Sequence, residues 1–211
     1  LGAIDYIIHC DRRPSQVIVT GIDQNLIDRA AALYTIEDAA NHGVELHYIN
    51  SLNVSTPELK ALSPEGHGFD DVFVYAPVAP LLEQADQLLG FDGCLNFFAG
   101  PTDPQFSAAF NFYNVHYAAT HVVGTSGGNT HDMIESLELM ASGRVNPSGL
   151  ITHIGGLNAV INTTLNLPDI PGGKKLIYTH FDFPLVALTE LANQPGEFYR
   201  DLDRIVTCLL Y

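Results

Sequence analysis

The chain has 211 residues, of which 46% are hydrophobic and 16% charged. This composition supports a packed core and excludes a disordered chain. The formal net charge of −15, from 9 basic and 24 acidic residues, argues against non-specific nucleic-acid binding and against attraction to an anionic membrane surface. An anionic cofactor stays compatible with this charge, because backbone amides and helix ends bind such groups.

The cysteines and the apolar runs of the sequence indicate the cellular compartment in which the chain is expected. Cys10, Cys94 and Cys208 are far apart, odd in number and not part of a CxxC pair. This pattern predicts a reduced, cytoplasmic chain without a disulfide framework or a zinc knuckle. No apolar run reaches the roughly 18 residues that a membrane-spanning helix needs, and we expect no signal peptide.

The beginning of the chain predicts a helix over residues 1–9 and a buried β-strand over residues 16–23. The strand ends on Asp23. A carboxylate at the end of such a strand can accept two hydrogen bonds from the ribose diol of a dinucleotide. Asp23 can equally cap the helix predicted at residues 25–33. The local pattern does not separate these two roles.

Strands and helices then alternate with short connections as far as Gly143. Thr35, with Asp38 three residues on, opens a short helical turn that ends at Gly43. The last helix of this series is expected to be capped by Thr130 and to have an apolar face of methionine and leucine. We predict further strands at 44–50, 71–76, 93–99 and 120–124, and helices at 25–34, 56–62, 78–89 and 130–142. Such alternation is typical of a doubly wound α/β fold with a parallel sheet covered by helices on both faces.

The pattern changes after Gly143. Strands are predicted at 150–154 and 174–178, and helical segments at 183–192 and 196–210. We therefore predict two parts. Residues 1–145 form the sheet domain, and residues 146–211 form a C-terminal segment that packs on something else.

One stretch of the chain resembles a known family. The residues Ile-Glu-Ser-Leu-Glu-Leu-Met-Ala-Ser-Gly-Arg-Val, then Leu-Ile-Thr-His-Ile, then Gly-Gly-Lys-Lys-Leu-Ile-Tyr, all within residues 132–178, are similar to the end of a medium-chain dehydrogenase/reductase. This is the zinc-type alcohol and polyol dehydrogenase superfamily, and sugar-phosphate reductases are the most similar group. The resemblance implies a Rossmann-type sheet whose C-terminal segment returns to a catalytic domain.

The resemblance also implies where a cofactor binds. It places Asp23 on the cofactor ribose, followed by Gln24 rather than an arginine, which favours NAD over NADP. It places loops at strand ends along the cofactor, where small residues and exposed amides suit close approach. Lys174 occupies the position where relatives have a basic residue on the pyrophosphate. The loop residues are Ala76, Pro77, Val78, Ala99, Gly100, Gly124 and Ser126.

The chain departs from this family in two respects. No Gly-x-Gly-x-x-Gly loop follows a first strand. Gly2 lies about 20 residues before Asp23, so Gly2, or a residue just before Leu1, marks the expected end of that motif. The catalytic domain with its zinc ligands is also absent from this sequence. The nine histidines are scattered, and His116 and His121 lie near a strand without Cys or Glu at ligand spacing. We expect structural or solvated roles for the histidines. His153, in Ile-Thr-His-Ile, is a family landmark with an expected structural role.

Three functions fit these observations. The first is hydride transfer between NAD(P)(H) and a polyol, a ketose or a sugar phosphate, with this chain as the cofactor-binding part, zinc in the missing domain, and a homodimer or homotetramer as the assembly. The second is an S-adenosylmethionine-dependent methyltransferase, which usually ends its sheet with an antiparallel strand. The third is a nucleotide-binding module without catalysis.

The missing first strand has a structural consequence. In a sheet of order 3-2-1-4-5-6 that strand lies in the centre, so the strands at 16–22 and 71–76 are expected to have no common neighbour. Unpaired buried backbone groups cost about 1–3 kcal/mol each. We therefore expect that the 211 residues alone do not form a complete, independently stable dinucleotide site.

Overall fold

The computed structural model describes the backbone of residues 1–210 and the side chains through residue 206. Strands and helices alternate along most of the chain. The strands are β1 Gln16–Gly21, β2 Glu45–Asn50, β3 Phe69–Val74, β4 Leu89–Phe97, β5 His121–Gly124, β6 Ile151–Gly156, β7 Lys174–Tyr178 and β8 Val186–Ala187. The α-helices are α1 Gly2–His9, α2 Gln24–Leu33, α3 Ile36–Asn41, α4 Thr56–Ala61, α5 Ala79–Leu88, α6 Phe112–Tyr117, α7 Thr130–Ala141, α8 Val160–Leu165 and α9 Glu197–Leu210.

The chain divides into two compact units. Unit 1 contains Leu1–Val17, Ala30–Leu46 and the chain from Leu137 onward, and unit 2 contains Ile18–Arg29 and His47–Ser136. Among the described helices, none combines the length and the apolar character that crossing a membrane requires.

Unit 2 contains a parallel three-stranded sheet in the order β3-β4-β5. Its register aligns the last residues of the three strands, Val74 with Phe97 and Phe97 with Gly124. The core on this sheet consists of Val74, Ala85, Leu89 and Leu95, which are at most 5% exposed. The predicted α/β architecture with a parallel sheet is confirmed.

The strands β1 and β2 form a separate two-stranded sheet. As expected, β1 and β3 therefore have no common neighbour in the described part of the chain. β1 has one hydrogen-bonded neighbour, β2, and β3 has one, β4.

The start of β4 differs from the sequence prediction. We expected a helix that ended at Gly90 and a strand that began at Gly93, but the strand starts at Leu89. Leu89 pairs with Phe69 of β3, and a register shift between Phe69 and Asp71 makes room for the extra residues. Because Leu89 is 5% exposed and belongs to the core, its burial extends the strand into the helix–strand junction.

Two further differences involve helix caps in unit 2. The connection after residue 106 contains α6, which the sequence analysis missed; the Asn111 side chain caps it by accepting the Tyr113 amide at 3.0 Å. The predicted Thr130 cap of α7 is wrong. Asn129 Oδ1 accepts the amides of His131 and Asp132 at 2.7 and 3.2 Å, and Asp132 Oδ2 accepts the Asn129 amide. Asparagine and aspartate provide this reciprocal cap.

Unit 1 contains the sheet of order β7-β6-β8. β6 pairs in parallel with β7 and antiparallel with β8. Its core consists of Ile154, Phe183, Val186 and Leu191. The helix predicted over 183–192 is therefore partly wrong, because Val186 is drawn into the sheet opposite Ile154 and only residues 188–193 are helical, as a 3-10 helix.

The helix α1 also belongs to unit 1, and its predicted periodicity is confirmed. Ile4 and Ile8 are buried on one face. Asp5 lies on the same helix at 3% exposure, and its Oδ2 accepts the backbone amide of Asn146 at 2.7 Å. A buried carboxylate is stable only with such partners.

We predict that Gly68→Ala destabilises the protein. Gly68 has φ +106°, and a Cβ there would lie 2.6 Å from Leu89 and Gly90 backbone atoms where the chain enters β4. The strained backbone and the clash together should cost about 2 kcal/mol or more. Chemical denaturation measures this cost. Gly100→Ala is the matched control, since a Cβ there meets nothing within 4 Å; equal stabilities of the two variants would contradict the prediction.

Candidate cofactor site

The carboxyl ends of β3, β4 and β5 lie side by side in unit 2. The register of the strands brings the loops after Val74, Phe97 and Gly124 to one edge of the sheet. In open parallel sheets this edge is where ligands bind, because loops diverge there and leave a crevice. Most of the residues predicted along the cofactor lie in these loops: Ala76, Pro77, Val78, Ala99, Gly100, Gly124 and Ser126.

The three loops expose small residues and backbone. Pro77, Val78 and Gly100 are exposed, and Ala76 and Ala99 are half-buried. The Val78 amide donates to the Ala76 carbonyl at 2.9 Å, which makes a tight turn into α5. A Cβ at Gly100 would meet no heavy atom within 4 Å, so the space beside it is open. This edge can accept a flat group close to the backbone.

Gly124 and Ser126 continue this edge beyond β5. Both are exposed. A Cβ at Gly124 would lie 3.2 Å from the Phe97 carbonyl oxygen, so a larger residue would press on the neighbouring strand. Glycine at this position therefore has a packing reason as well as the predicted cofactor role.

Three aromatic residues at the same edge were missed by the sequence analysis. The ring of Tyr75 stacks on Phe73 with centroids 6.4 Å apart and meets Phe98 edge-on at 6.2 Å. All three are about half exposed, and partial burial raises the pKa of Tyr75 above its usual range. The signal was present as aromatic residues in the second half of one predicted strand and next to the end of another, and as Phe73 at the middle of the first. They provide an apolar surface beside the small-residue loops.

Asp23 follows β1 and caps α2. One carboxylate oxygen, Oδ1, accepts the backbone amides of Asn25 at 2.9 Å and Leu26 at 3.4 Å. The side chain is exposed. The structure thus shows the capping role that the sequence left open, and because capping uses Oδ1, the second oxygen stays available to a ribose hydroxyl.

Gln24 joins the ends of β1 and β2. Its amide nitrogen donates to Asp28 Oδ1 at 2.8 Å, and its oxygen accepts the Asn50 amide at 3.1 Å. Ser51 Oγ donates to the Gly21 carbonyl at 3.2 Å. Both functional atoms of Gln24 are therefore engaged within the protein, and this side chain positions the turn that carries Asp23.

The other two predicted cofactor residues, Gly2 and Lys174, lie in unit 1. Gly2 is the first residue of α1, and a Cβ there would meet Leu150 at 3.9 Å. Lys174 is exposed at the start of β7 and lines a cleft of about 600 Å³. Its neighbour Lys175 is tied into the turn, because its Nζ donates to the carbonyls of Ile170, Pro171 and Gly173. Lys174 is exposed, and its predicted contact with the pyrophosphate stays a prediction.

The pKa values of two further side chains, His153 and Cys94, are shifted by their surroundings in the sheets. His153 lies in β6, where its Nδ1 is 2.9 Å from Thr152 Oγ1. Burial, and then the charge of Lys175, lower the pKa of His153, so the imidazole is neutral near pH 7. Burial, and then the charge of Asp71, raise the pKa of the Cys94 thiol, which disfavours the thiolate.

With this geometry established, comparison with known proteins identifies relatives. The chain is 54% identical over 210 residues to mannitol-1-phosphate 5-dehydrogenase of Aliivibrio fischeri, covering 98% of this chain and 49% of the relative. It is 49% identical over 193 residues to L-sorbose 1-phosphate reductase of Klebsiella pneumoniae, covering 92% and 46%. The predicted family resemblance is confirmed. The chain spans about half the length of the curated relatives it matches, and no family model matches it.

Solved structures show the same fold at low identity. 2R,3R-butanediol dehydrogenase from Bacillus subtilis matches with a TM-score of 0.61 at 16% identity, covering 79% of this chain and 44% of that chain. An alcohol dehydrogenase from E. coli CFT073, complexed with NADH, matches with a TM-score of 0.58 at 14% identity, covering 82% and 47%. The Rossmann-type fold predicted from the sequence is the fold of these dehydrogenases.

We predict that Asp23→Ser weakens NAD binding much more than NADP binding. Serine keeps the cap of α2, while loss of the carboxylate removes a charged acceptor for the ribose diol, worth about 1.5–3 kcal/mol, or roughly tenfold to a hundredfold in Kd. Calorimetric titration of the full-length protein measures both affinities. Asp103→Ser is a matched control, because Asp103 Oδ1 accepts the Gln105 amide in another exposed turn. Equal losses for both cofactors would contradict the ribose role.

Proposed function

We propose that this chain is the nicotinamide-binding part of an oxidoreductase that transfers a hydride between NAD(P)(H) and a polyol or ketose phosphate. The observation that carries the proposal is the aligned carboxyl edge of β3, β4 and β5, with its open small-residue loops, in a chain so similar to mannitol-1-phosphate 5-dehydrogenase. The NADH complex of a protein with the same fold supports a nicotinamide cofactor.

Different residues of the chain are proposed to bind different parts of the nicotinamide cofactor. Asp23 accepts hydrogen bonds from the adenosine ribose through the oxygen that α2 does not use. The amides and small side chains at 76–78 and 99–100 lie along the rest of the cofactor, and the Tyr75 and Phe98 rings shield one side from water. A bound nicotinamide supplies or accepts the hydride, and the protein sets its position.

Cofactor choice follows from the charge at the end of β1. The Asp23 carboxylate attracts the two ribose hydroxyls and repels a 2′-phosphate, which favours NAD over NADP. Arg29 lies six residues further on, within α2. We infer that NAD is the preferred cofactor.

The substrate is expected to contact mainly parts of the enzyme outside this chain. Residues 146–211 are proposed to pack on a catalytic domain, which would supply the zinc ion that acts as a Lewis acid on the carbonyl oxygen. The names of the two relatives support a sugar phosphate of the mannitol 1-phosphate or L-sorbose 1-phosphate type.

The methyltransferase alternative is not favoured by the sheet. Such enzymes usually end with an antiparallel strand, whereas β5 runs parallel to β4 along four residue pairs. An activity assay distinguishes the proposed oxidoreductase from a nucleotide-binding module without catalysis.

An activity assay tests the proposal. The purified full-length protein should reduce NAD with mannitol 1-phosphate or oxidise NADH with L-sorbose 1-phosphate, followed by NADH absorbance. Unphosphorylated mannitol and L-sorbose are the controls for phosphate recognition. Tight NADH binding without turnover of any of these compounds would instead favour the non-catalytic module.

We further predict a homodimer or a dimer of dimers. β5 is the edge strand of the described unit 2 sheet, all four of its residues are exposed, and the side chains of Val122 and Val123 are 55% and 44% exposed. Pairing of two such edges across a two-fold axis would satisfy their backbone groups. Sedimentation at micromolar concentration should show the oligomer, and Val122→Lys should weaken it. A monomeric wild-type protein would contradict this prediction.

A further inference from the structure

Three side chains that the sequence analysis assigned no binding role come together in unit 1. They are His9, Asp38 and His42, and one ligand atom from each lies within 4.8 Å of the others. We propose that these residues bind a divalent transition-metal ion of the Zn²⁺ type. This site lies outside the loops proposed to bind the cofactor, and it does not depend on the proposed activity.

The elements of unit 1 explain how the cluster forms. His9 is the last residue of α1. Asp38 lies in the first turn of α3, and His42 follows four residues later at the end of the same helix. Residues at i and i+4 share one face of a helix, so Asp38 and His42 face the same side. The sequence analysis missed the site because His9 comes from a separate helix, 29 residues before Asp38.

The orientation of His9 is set by a buried carboxylate. Its Nδ1 lies 2.9 Å from the Asp5 carbonyl and 3.0 Å from Asp5 Oδ1, so this nitrogen is the donor. Asp5 is itself held by the amide of Asn146. A carboxylate that binds the outer nitrogen of a histidine is the usual arrangement around metal-bound imidazoles, because it fixes the ring and strengthens the inner nitrogen as a ligand.

The inner nitrogen of His9 faces an acceptor. Nε2 lies 3.5 Å from Asp38 Oδ2. In the neutral imidazole with its proton on Nδ1, both of these atoms carry lone pairs, and their approach calls for a cation between them. A metal ion meets this need with both atoms as ligands.

His42 completes the set in a similar way. Its Nδ1 lies 2.9 Å from the Asp38 carbonyl oxygen and 3.6 Å from Asp38 Oδ1. With the proton on Nδ1, donated to the carbonyl, Nε2 is the nitrogen left to bind the metal ion. The rings of His9 and His42 meet edge to face, with centroids 4.7 Å apart and planes at 82°. With the proton on Nδ1, each imidazole presents Nε2 as the lone-pair nitrogen that a metal ion requires.

The donor set selects the class of ion. Two imidazole nitrogens and one carboxylate suit Zn²⁺, Co²⁺ or Ni²⁺, whereas Mg²⁺ and Ca²⁺ prefer oxygen ligands alone. Zinc bonds of about 2.0–2.1 Å separate tetrahedral ligand atoms by roughly 3.3 Å. The His9–Asp38 pair is already at 3.5 Å, and the ligand atoms of all three residues lie within 4.8 Å of one another, so the side chains have to move closer together to bind the ion. The Asp38 side chain is 46% exposed, so water can take the fourth position.

A proton is the competing explanation. A protonated His9 would donate to both Asp5 and Asp38, and the cluster would then be an ion pair that joins α1 to α3 without a metal. The two explanations differ in metal stoichiometry, which is measurable.

The experiment compares full-length wild-type protein with His42→Gln and with the control His67→Gln. The His67 side chain is 77% exposed, its Nδ1 lies 3.6 Å from Glu65 Oε2, and it is not a member of the cluster. After treatment with a chelator and desalting, each protein is titrated with ZnCl₂ by calorimetry, and bound zinc is counted by mass spectrometry of the metal. MgCl₂ is the control ion. Circular dichroism verifies that each variant is folded, and Asp38→Asn replaces His42→Gln if the latter is not.

Wild type and His67→Gln should bind one zinc ion per chain more than His42→Gln, or bind it at least tenfold more tightly. Zinc should also raise the melting temperature of wild type more than that of His42→Gln, and Co²⁺ should give a visible spectrum that the variant lacks. Equal zinc stoichiometry, affinity and thermal shift in all folded variants would overturn the proposal and leave the proton-only ion pair. Any zinc bound elsewhere in the enzyme is common to all variants and cancels in the comparison.

Discussion

The parallel hydrogen-bonded register of β3, β4 and β5 is the constraint on which the candidate cofactor site depends. Because Val74, Phe97 and Gly124 are aligned, three loops far apart in sequence emerge at one edge. The core of Val74, Ala85, Leu89 and Leu95 holds this register from one face of the sheet. A shift of one residue would turn the core side chains to the opposite face, so burial and site geometry depend on the same pairing.

The residues predicted to bind the cofactor, at this edge and after β1, differ in whether they also serve the fold. Asp23 begins α2 with one carboxylate oxygen and leaves the other oxygen accessible. Gly124 is small because its neighbouring strand is close, and that smallness also exposes backbone. Gln24 is different, since its bonds to Asp28 and Asn50 make it a support for Asp23.

In unit 1, one buried carboxylate explains the geometry of a cluster of polar side chains. Asp5 is almost fully buried, and it is held by the Asn146 amide and by His9. Satisfying this carboxylate fixes the His9 ring, which in turn sets the direction of its second nitrogen toward Asp38. The geometry that suits a metal ion therefore follows from the requirement that a buried carboxylate have partners.

Hydrophobic periodicity and turn residues were sufficient to predict most elements of the chain. Local signals determine such elements, as in the Thr35 cap of α3 and the strand at residues 174–178, which the structure places at Lys174–Tyr178. The resemblance to dehydrogenases also followed from short local motifs. The sequence left the role of Asp23 open, because capping and ribose binding both require a carboxylate at the end of a strand.

Only the tertiary structure decided the features that depend on distant partners. Leu89 joins β4 because Phe69 pairs with it, and Val186 becomes a strand residue because Ile154 is opposite it. Tyr75, Phe73 and Phe98 form one aromatic surface because neighbouring strands end together. His9 meets Asp38 and His42 through the packing of unit 1. Contacts between residues far apart in sequence are set by packing, so local patterns could not predict them.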